Sequence, residues 1–296
     1  VKGMKKYALV LVLILLTGFT AGCISSNGQA STTSSESPVS ESQTASSPTT
    51  THQQTTTTTT AATETPTSTE RGYSTEELLK GVSEIRQFTY TSNATISMNV
   101  TIEQEGISQK DHVNLTIIEE SYVDFDSWSA WINSTTISQP DGASTSISYI
   151  TVNNVTYVKT AVGWMKADDE TLRELIWEYN IVSLARKYLA REPEERVEGD
   201  VLTLRYRLDA DDLKVLASAY FASTPDTEIS VDDGILELQF RDGILVGGSI
   251  SYTVSAKTSV SDPTLGNMTI IQEGTWSEVI EITGINEKKS VKEPST

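Results

Sequence analysis

Between Phe88 and Glu103 the chain alternates strongly. Odd positions from Thr89 read Thr, Thr, Asn, Thr, Ser, Asn, Thr, Glu, and even positions from Phe88 read Phe, Tyr, Ser, Ala, Ile, Met, Val, Ile. A period of two puts successive side chains on opposite faces of a strand. This stretch therefore commits the chain to a long β-strand with one wet face and one mostly apolar face. Gly106 marks a turn, and Val113, Leu115 and Ile117 carry the apolar face onto a second strand. Further strand signals cover residues 122–137, 144–152 and 155–159, with turns at Pro140-Asp141-Gly142 and Asn153-Asn154. Connections this short join antiparallel neighbours, so the strands form a meander.

Helical spacing appears at three places. Ser74-Thr75-Glu76-Glu77 is a capping-box pattern, and Leu78, Val82 and Ile85 then share one face of a helix expected to end near Phe88. From Asp168, the positions of Leu172, Leu175, Ile176, Tyr179, Val182 and Leu189 predict one long helix or two shorter ones, reaching about Ala190. A strand over 202–206 precedes another helix, starting at Asp209 and carrying Leu213, Leu216, Tyr220 and Phe221. Strands return at 228–231, 235–240, 245–256 and 268–283, with hairpin turns expected at Asp232-Asp233-Gly234 and Arg241-Asp242-Gly243. The economical fold is α+β: a strongly curved antiparallel sheet with helices packed on its concave apolar face.

The first 70 residues differ in kind. Lys5 and Lys6 precede an apolar run, Tyr7 to Leu16, and then the small residues Gly18, Thr20, Ala21 and Gly22. This is the layout of an export signal over 1–22. Its Thr-Ala-Gly-Cys ending resembles a lipobox, in which Cys23 becomes the lipidated N-terminus. Cys23 is the only cysteine, so no internal disulfide can form. Residues 23–70 are Ser/Thr-rich, with the run Thr55 to Thr60 and with Pro38, Pro48 and Pro66. Such a composition buries too little apolar surface to offset its ordering entropy and reads as an O-glycosylated stalk. The about 47 residues after Cys23 would average roughly 40 Å as a coil and reach about 145 Å when extended. Residues 71–296 suit one domain. A net charge of −18 argues against nucleic acid and against adsorption to anionic head groups.

Two stretches resemble a known family. Tyr149-Ile-Thr-Val-Asn-Asn-Val-Thr-Tyr-Val-Lys159 followed by Gly163-Trp-Met-Lys166 is similar to a hairpin of the LolA/LppX/LprG-type lipoproteins, just before their long helical segment. Val279-Ile-Glu-Ile-Thr-Gly-Ile-Asn286, running to Val291 and Pro294, resembles the last strand and tail of that family. The order helix, meander, helices, meander fits as well. The resemblance implies a half-barrel around an apolar cavity, in proteins that carry lipid chains across an aqueous gap. Together with the lipobox, the Thr-rich stalk and the sequons, it resembles an archaeal surface lipoprotein, although bacterial exporters share the first two features.

If such a cavity exists, its wall must come from inward-facing residues. The first strand offers Phe88, Tyr90, Ile96, Met98, Val100 and Ile102, and the helices offer Leu172, Ile176, Tyr179, Leu216, Tyr220 and Phe221. The same residues also suit an ordinary packed core. Trp164 either anchors its hairpin or sits at a cavity mouth. Asn93, Asn99, Asn114, Asn133, Asn154 and Asn267 each stand in Asn-x-Thr and are N-glycosylation candidates.

Catalytic patterns are scarce. His52 lies in the stalk, and His112, beside Asp111, reads as a surface residue with no local support for a Ser-His-Asp triad. No metal-ligating or phosphate-binding motif is present, and no cofactor is implied. Asp168-Asp169, Asp209-x-Asp211-Asp212 and Asp232-Asp233 read as helix starts and turns. The residues thus point to a non-catalytic domain anchored through Cys23 to the outer face of the cytoplasmic membrane and binding a lipid or other long apolar ligand. A structural or adhesive glycoprotein with a solid core is the alternative, and an acidic-pair hydrolase the third.

Overall fold

The computed structural model describes residues 72–167, 170–222, 224, 226–262 and 266–295. The signal, the stalk, Cys23 and Asp168-Asp169 lie outside them. Eleven strands form one antiparallel sheet in the order β6-β5-β4-β3-β2-β1-β11-β10-β9-β8-β7. The strands are β1 (Gln87–Gln104), β2 (Ile107–Asp124), β3 (Ser129–Gln139), β4 (Ser144–Val152), β5 (Val155–Thr160), β6 (Gly163–Ala167), β7 (Glu195–Val197), β8 (Leu202–Arg207), β9 (Glu228–Arg241), β10 (Ile244–Asp262) and β11 (Gly266–Ile285). The helices are α1 (Thr75–Ser83), α2 (Glu170–Glu178), α3 (Ile181–Tyr188) and α4 (Ala210–Phe221). The sheet is open, with edges at β6 and β7.

The alternating strand lies near the middle of the sheet. β1 pairs along its length with β2 on one side and β11 on the other. Ala94, Ile96, Met98 and Val100 are buried, and the intervening Thr95, Ser97 and Asn99 are exposed. The hairpins follow their turn residues. Glu105-Gly106, Asn153-Asn154 and Asp242-Gly243 all take positive φ at both positions, the backbone that lets a two-residue loop match strand twist. Buried side chains of the four helices and of the inward strand faces form one core.

Several boundaries depart from expectation, each for a local reason. Residues 122–137 are not one strand, because Asp124 interrupts them. Its Oδ1 accepts the N–H groups of Asp126 (2.9 Å) and Ser127 (3.1 Å), and its Oδ2 accepts the Ser127 hydroxyl at 2.7 Å. That closes a side-chain-capped turn between β2 and β3. Asp232-Asp233-Gly234 is not a hairpin turn, because β9 runs straight through it. The extra residue is absorbed where the β9–β10 register shifts between Ser251 and Thr253, with Asp233 at φ 54°. A Cβ at Gly234 would lie 2.3 Å from Leu213 of α4, so this glycine serves helix approach rather than chain reversal. Strand β7 is exposed at all three residues and gives no periodic signal.

The segment from Glu170 resolves into two helices, and Asn180 is the cause. Its Oδ1 accepts from Val182 and Ser183, starting α3, while its Nδ2 donates to the carbonyls of Ile176 and Trp177, closing α2. Ser74 and Glu77 form the expected reciprocal cap on α1, which ends at Ser83, short of Phe88.

Candidate functional site: a cavity with two inward carboxyl groups

A cavity of about 190 Å³ lies between the sheet and helices α2, α3 and α4. Six neighbouring strands, from β4 to β10 in sheet order, contribute to its wall. Ile96, Leu115, Ile117, Ile132, Ile250 and Ile280 line the sheet side, and Leu172, Leu175, Ile176, Leu216 and Ala219 the helix side. Close-packed interiors hold few voids larger than a water molecule. An engineered apolar cavity of 150 Å³ stays dry and binds benzene, so this space is large for a packing defect.

Of the twelve candidate wall residues, Tyr90, Ile96, Leu172, Ile176, Tyr179, Leu216 and Tyr220 line the cavity. Phe88, Met98, Val100 and Phe221 lie in the packed core, and Ile102 packs against it. Strand parity and helical spacing placed all twelve on inward faces. What separates the two sets is where the helices leave the sheet uncovered, which alternation does not encode.

The wall also holds polar groups that sequence inspection passed over. Glu119 follows Val113, Leu115 and Ile117 in the inward phase of β2, and Glu278 follows Trp276 in the inward phase of β11. The signal was available, since a charged residue standing in an apolar register is costly unless it has a partner or a purpose. Across the ladder, Glu119 stands opposite Ser92 of β1, while Glu278 stands opposite Ala94 of β1 and Ile250 of β10.

Each carboxyl group has neutral donors. Glu119 Oε1 accepts the Tyr90 hydroxyl at 2.9 Å and the Ser121 hydroxyl at 3.0 Å. Glu278 accepts from the side chains of Ser92 and Trp276. Burial nevertheless pushes Glu278 up to about 7, and the neighbouring Glu119 charge adds to the shift. Glu119 is raised as well, again through burial. Burial raises Tyr90, Tyr220 and Tyr252 well above the usual phenol value, and the nearby carboxylates reinforce it.

Aromatic rings cluster on the same wall. The ring centroids of Tyr220 and Trp276 lie 4.1 Å apart, and Tyr252 stacks on Trp276 at 6.0 Å. Tyr252 is 3% exposed, and its hydroxyl has no hydrogen-bond partner among the described residues.

The remaining candidates lie elsewhere. His112 is exposed, with Nδ1 3.0 Å from Asn99 Oδ1. Asn93, Asn99, Asn114, Asn133, Asn154 and Asn267 are all exposed. Half-buried Trp164 lines a second hollow, of about 280 Å³, with Trp131, Lys159 and tail residues Ser290 to Lys292. Asp209 stands at the start of α4 but is engaged by Arg191 at 2.8 and 2.7 Å. Asp212 is buried against Lys187 and Tyr188.

Fold and site together define an open antiparallel-sheet protein with an internal, mainly apolar cavity. No family model matches the chain, and no curated protein does. Among solved structures, LprF from Mycobacterium bovis is similar at TM-score 0.33 and 9% identity, covering 75% of this chain and 95% of that one. A DUF1329 family protein from Desulfovibrio piger gives TM-score 0.23 at 8% identity, covering 74% and 93%. A LolA superfamily protein from Nitrosomonas europaea gives 0.19 at 12%, covering 74% and 96%.

Proposed function

We propose that this chain is an exported lipoprotein, anchored through lipidated Cys23 and raised on its Ser/Thr-rich stalk, whose folded domain binds a lipid or other long apolar ligand without chemical turnover. The cavity carries this reading: about 190 Å³ of space walled chiefly by isoleucine, leucine and aromatic side chains. Shielding an acyl chain from water is worth about 0.8 kcal/mol per methylene, so a wall of this chemistry suffices for binding. In a flat sheet β4 and β10 would stand about 24 Å apart. Their shared cavity supports a sheet that curls around its contents, the half-barrel arrangement. The volume suits one chain segment rather than a whole lipid, since pockets for drug-sized ligands run from about 300 to 1,000 Å³.

Native mass spectrometry of the full chain, released from non-ionic detergent, tests this reading. A recurring lipid mass removable without cleaving covalent bonds supports it. Protein that is bare and refuses added lipid leaves the structural glycoprotein in its place.

Glu119 and Glu278 give the hydrolase alternative its one specific observation, two carboxyl groups in one cavity. Their setting favours binding, because both are already engaged by neutral donors and the surrounding wall is aliphatic and aromatic. Hydrolysis of a glycoside substrate, abolished by Glu278→Gln, would reverse this preference.

A further inference from the structure

The cavity wall carries two carboxyl groups, Glu119 and Glu278, and no Lys, Arg or His. Nothing on the wall neutralises them. Buried charges in proteins are paired, or they shed their charge by taking up protons. The same wall carries the rings of Tyr90, Tyr220, Tyr252 and Trp276, and electron-rich rings attract a cation within about 6 Å of their centroids. The Tyr252 hydroxyl is the second, independent sign of a missing occupant, being buried in the wall without a partner among the described residues. Much of the remaining wall, including Ile96, Leu115, Ile117 and Leu216, is hydrocarbon.

We propose that the ligand is a cationic amphiphile whose protonated amine sits between Glu119 and Glu278 inside the aromatic cluster, with its alkyl chain along the isoleucine and leucine wall. The proposal rests on the lipid-binding reading above and specifies the head group. An ammonium that keeps its N–H bonds suits the site. It can donate to both carboxylates and to the Tyr252 oxygen, beside the packed rings of Tyr220 and Trp276. An anionic or purely neutral head would leave two carboxyl groups facing it with no compensating charge.

Acidity separates this role from a merely structural one. The titratable groups facing the site are Tyr90 from β1, Glu119 from β2, Tyr149 from β4, Tyr252 from β10, Glu278 from β11, Tyr179 from the link between α2 and α3, and Tyr220 from α4; α3 contributes none. Glu278, raised to about 7, is the one that changes charge between pH 5.5 and 8, and protonating it weakens the attraction for the amine.

Three ligands of equal chain length test the idea: decylammonium, decanol and decanoate, each titrated below its aggregation threshold into the full chain, with Trp fluorescence and calorimetry as readouts. Decylammonium is expected to bind at least tenfold tighter than the other two at pH 8, and to lose at least fivefold between pH 8 and 5.5. Glu278→Gln and, independently, Glu119→Gln should each reduce the ratio of decylammonium to decanol affinity several-fold. Thermal unfolding of both variants verifies the fold, so failure of one to fold leaves the other to decide. Equal binding of all three ligands overturns the amine proposal and leaves the lipid cavity standing. Tighter binding of decanoate overturns it likewise. Binding of none removes both.

Discussion

Tyr90 of β1 donates its hydroxyl to Glu119 of β2 at 2.9 Å, on a sheet face that is mainly apolar. A phenol can meet a carboxylate as a hydrogen-bond donor, but it cannot neutralise it. The pair therefore holds Glu119 in place while leaving its charge uncompensated, and Glu278 across β1 feels that charge. The cavity is built around an electrostatic deficit.

That deficit makes the empty protein sensitive to alkali. Glu278 is raised from an ordinary 4.5 to about 7 in the folded state, so folding favours its protonated form. The resulting stabilisation is complete below about pH 4.5 and is lost as the pH rises through about 7. Urea midpoints should accordingly fall from pH 5 to pH 8, by a stability change of at most about 3 kcal/mol from this group. Glu278→Gln, permanently neutral, should flatten much of that slope. An unchanged slope in the variant would show that the carboxyl group titrates as it does in the unfolded chain.

The cavity itself can be blocked. Ala219 of α4 lies on its wall. Ala219→Phe places a ring in the space at an overpacking cost of about 1–3 kcal/mol. Uptake of a fluorescent fatty-chain probe should drop at least tenfold while the far-ultraviolet circular dichroism spectrum stays the same. Full uptake by a folded variant would place the ligand elsewhere.

Gly274 of β11 should resist any side chain. A Cβ there would sit 2.4 Å from the Ser97 carbonyl oxygen and 2.6 Å from the Met98 Cβ on the paired strand. Gly274→Ala is expected to cost about 2 kcal/mol or more, because two central strands must separate. Gly199→Ala, whose added carbon would meet only the Val201 carbonyl oxygen at 3.8 Å, should stay within about 0.5 kcal/mol. Equal midpoints for the two would mean that the β1–β11 ladder gives way easily.

Asp212 ties α4 to α3. Its carboxylate accepts from Lys187 Nζ at 2.6 and 2.7 Å and from the Tyr188 hydroxyl at 2.6 Å, and that hydroxyl in turn accepts the N–H of Asp209. Asp212→Ala strands the Tyr188 hydroxyl in a buried place, so denaturant titration should show a loss of about 2–3 kcal/mol. Exposed Glu192 makes a suitable control, and Glu192→Ala should cost under about 0.5 kcal/mol.

The strands were legible because Phe88 to Ile102 alternate so regularly, and the helices because Ser74, Leu172 and Leu213 begin clear patterns. The breaks were less legible. Asp124 and Asn180 end elements through hydrogen bonds to backbone groups two to four residues away, and nothing in their hydropathy announces this. The Asp232-Asp233-Gly234 stretch has turn composition but contains a bulge, since tertiary packing against Leu213 decided its conformation. The cavity was half legible. Parity gives the inward face, yet only the three-dimensional path of the helices tells Tyr90 from Phe88. Glu119 and Glu278 were visible all along as charged residues in an apolar phase.

The central position of β1 has a kinetic consequence. Tyr90 pairs with Ile282, about 190 residues later, and the whole of β1 waits for β11 as its second neighbour. Closing so long a loop costs entropy before any contact repays it, and distant pairings fold slowly. Nine strands separate β1 from β11 in the order of synthesis. Until β11 is made the apolar face of the first hairpin has no completed sheet to join, and a nascent chain interrupted short of residue 266 lacks the middle of the sheet rather than its margin. Holding that intermediate safely, by a chaperone or by rapid synthesis, is a requirement written into the strand order.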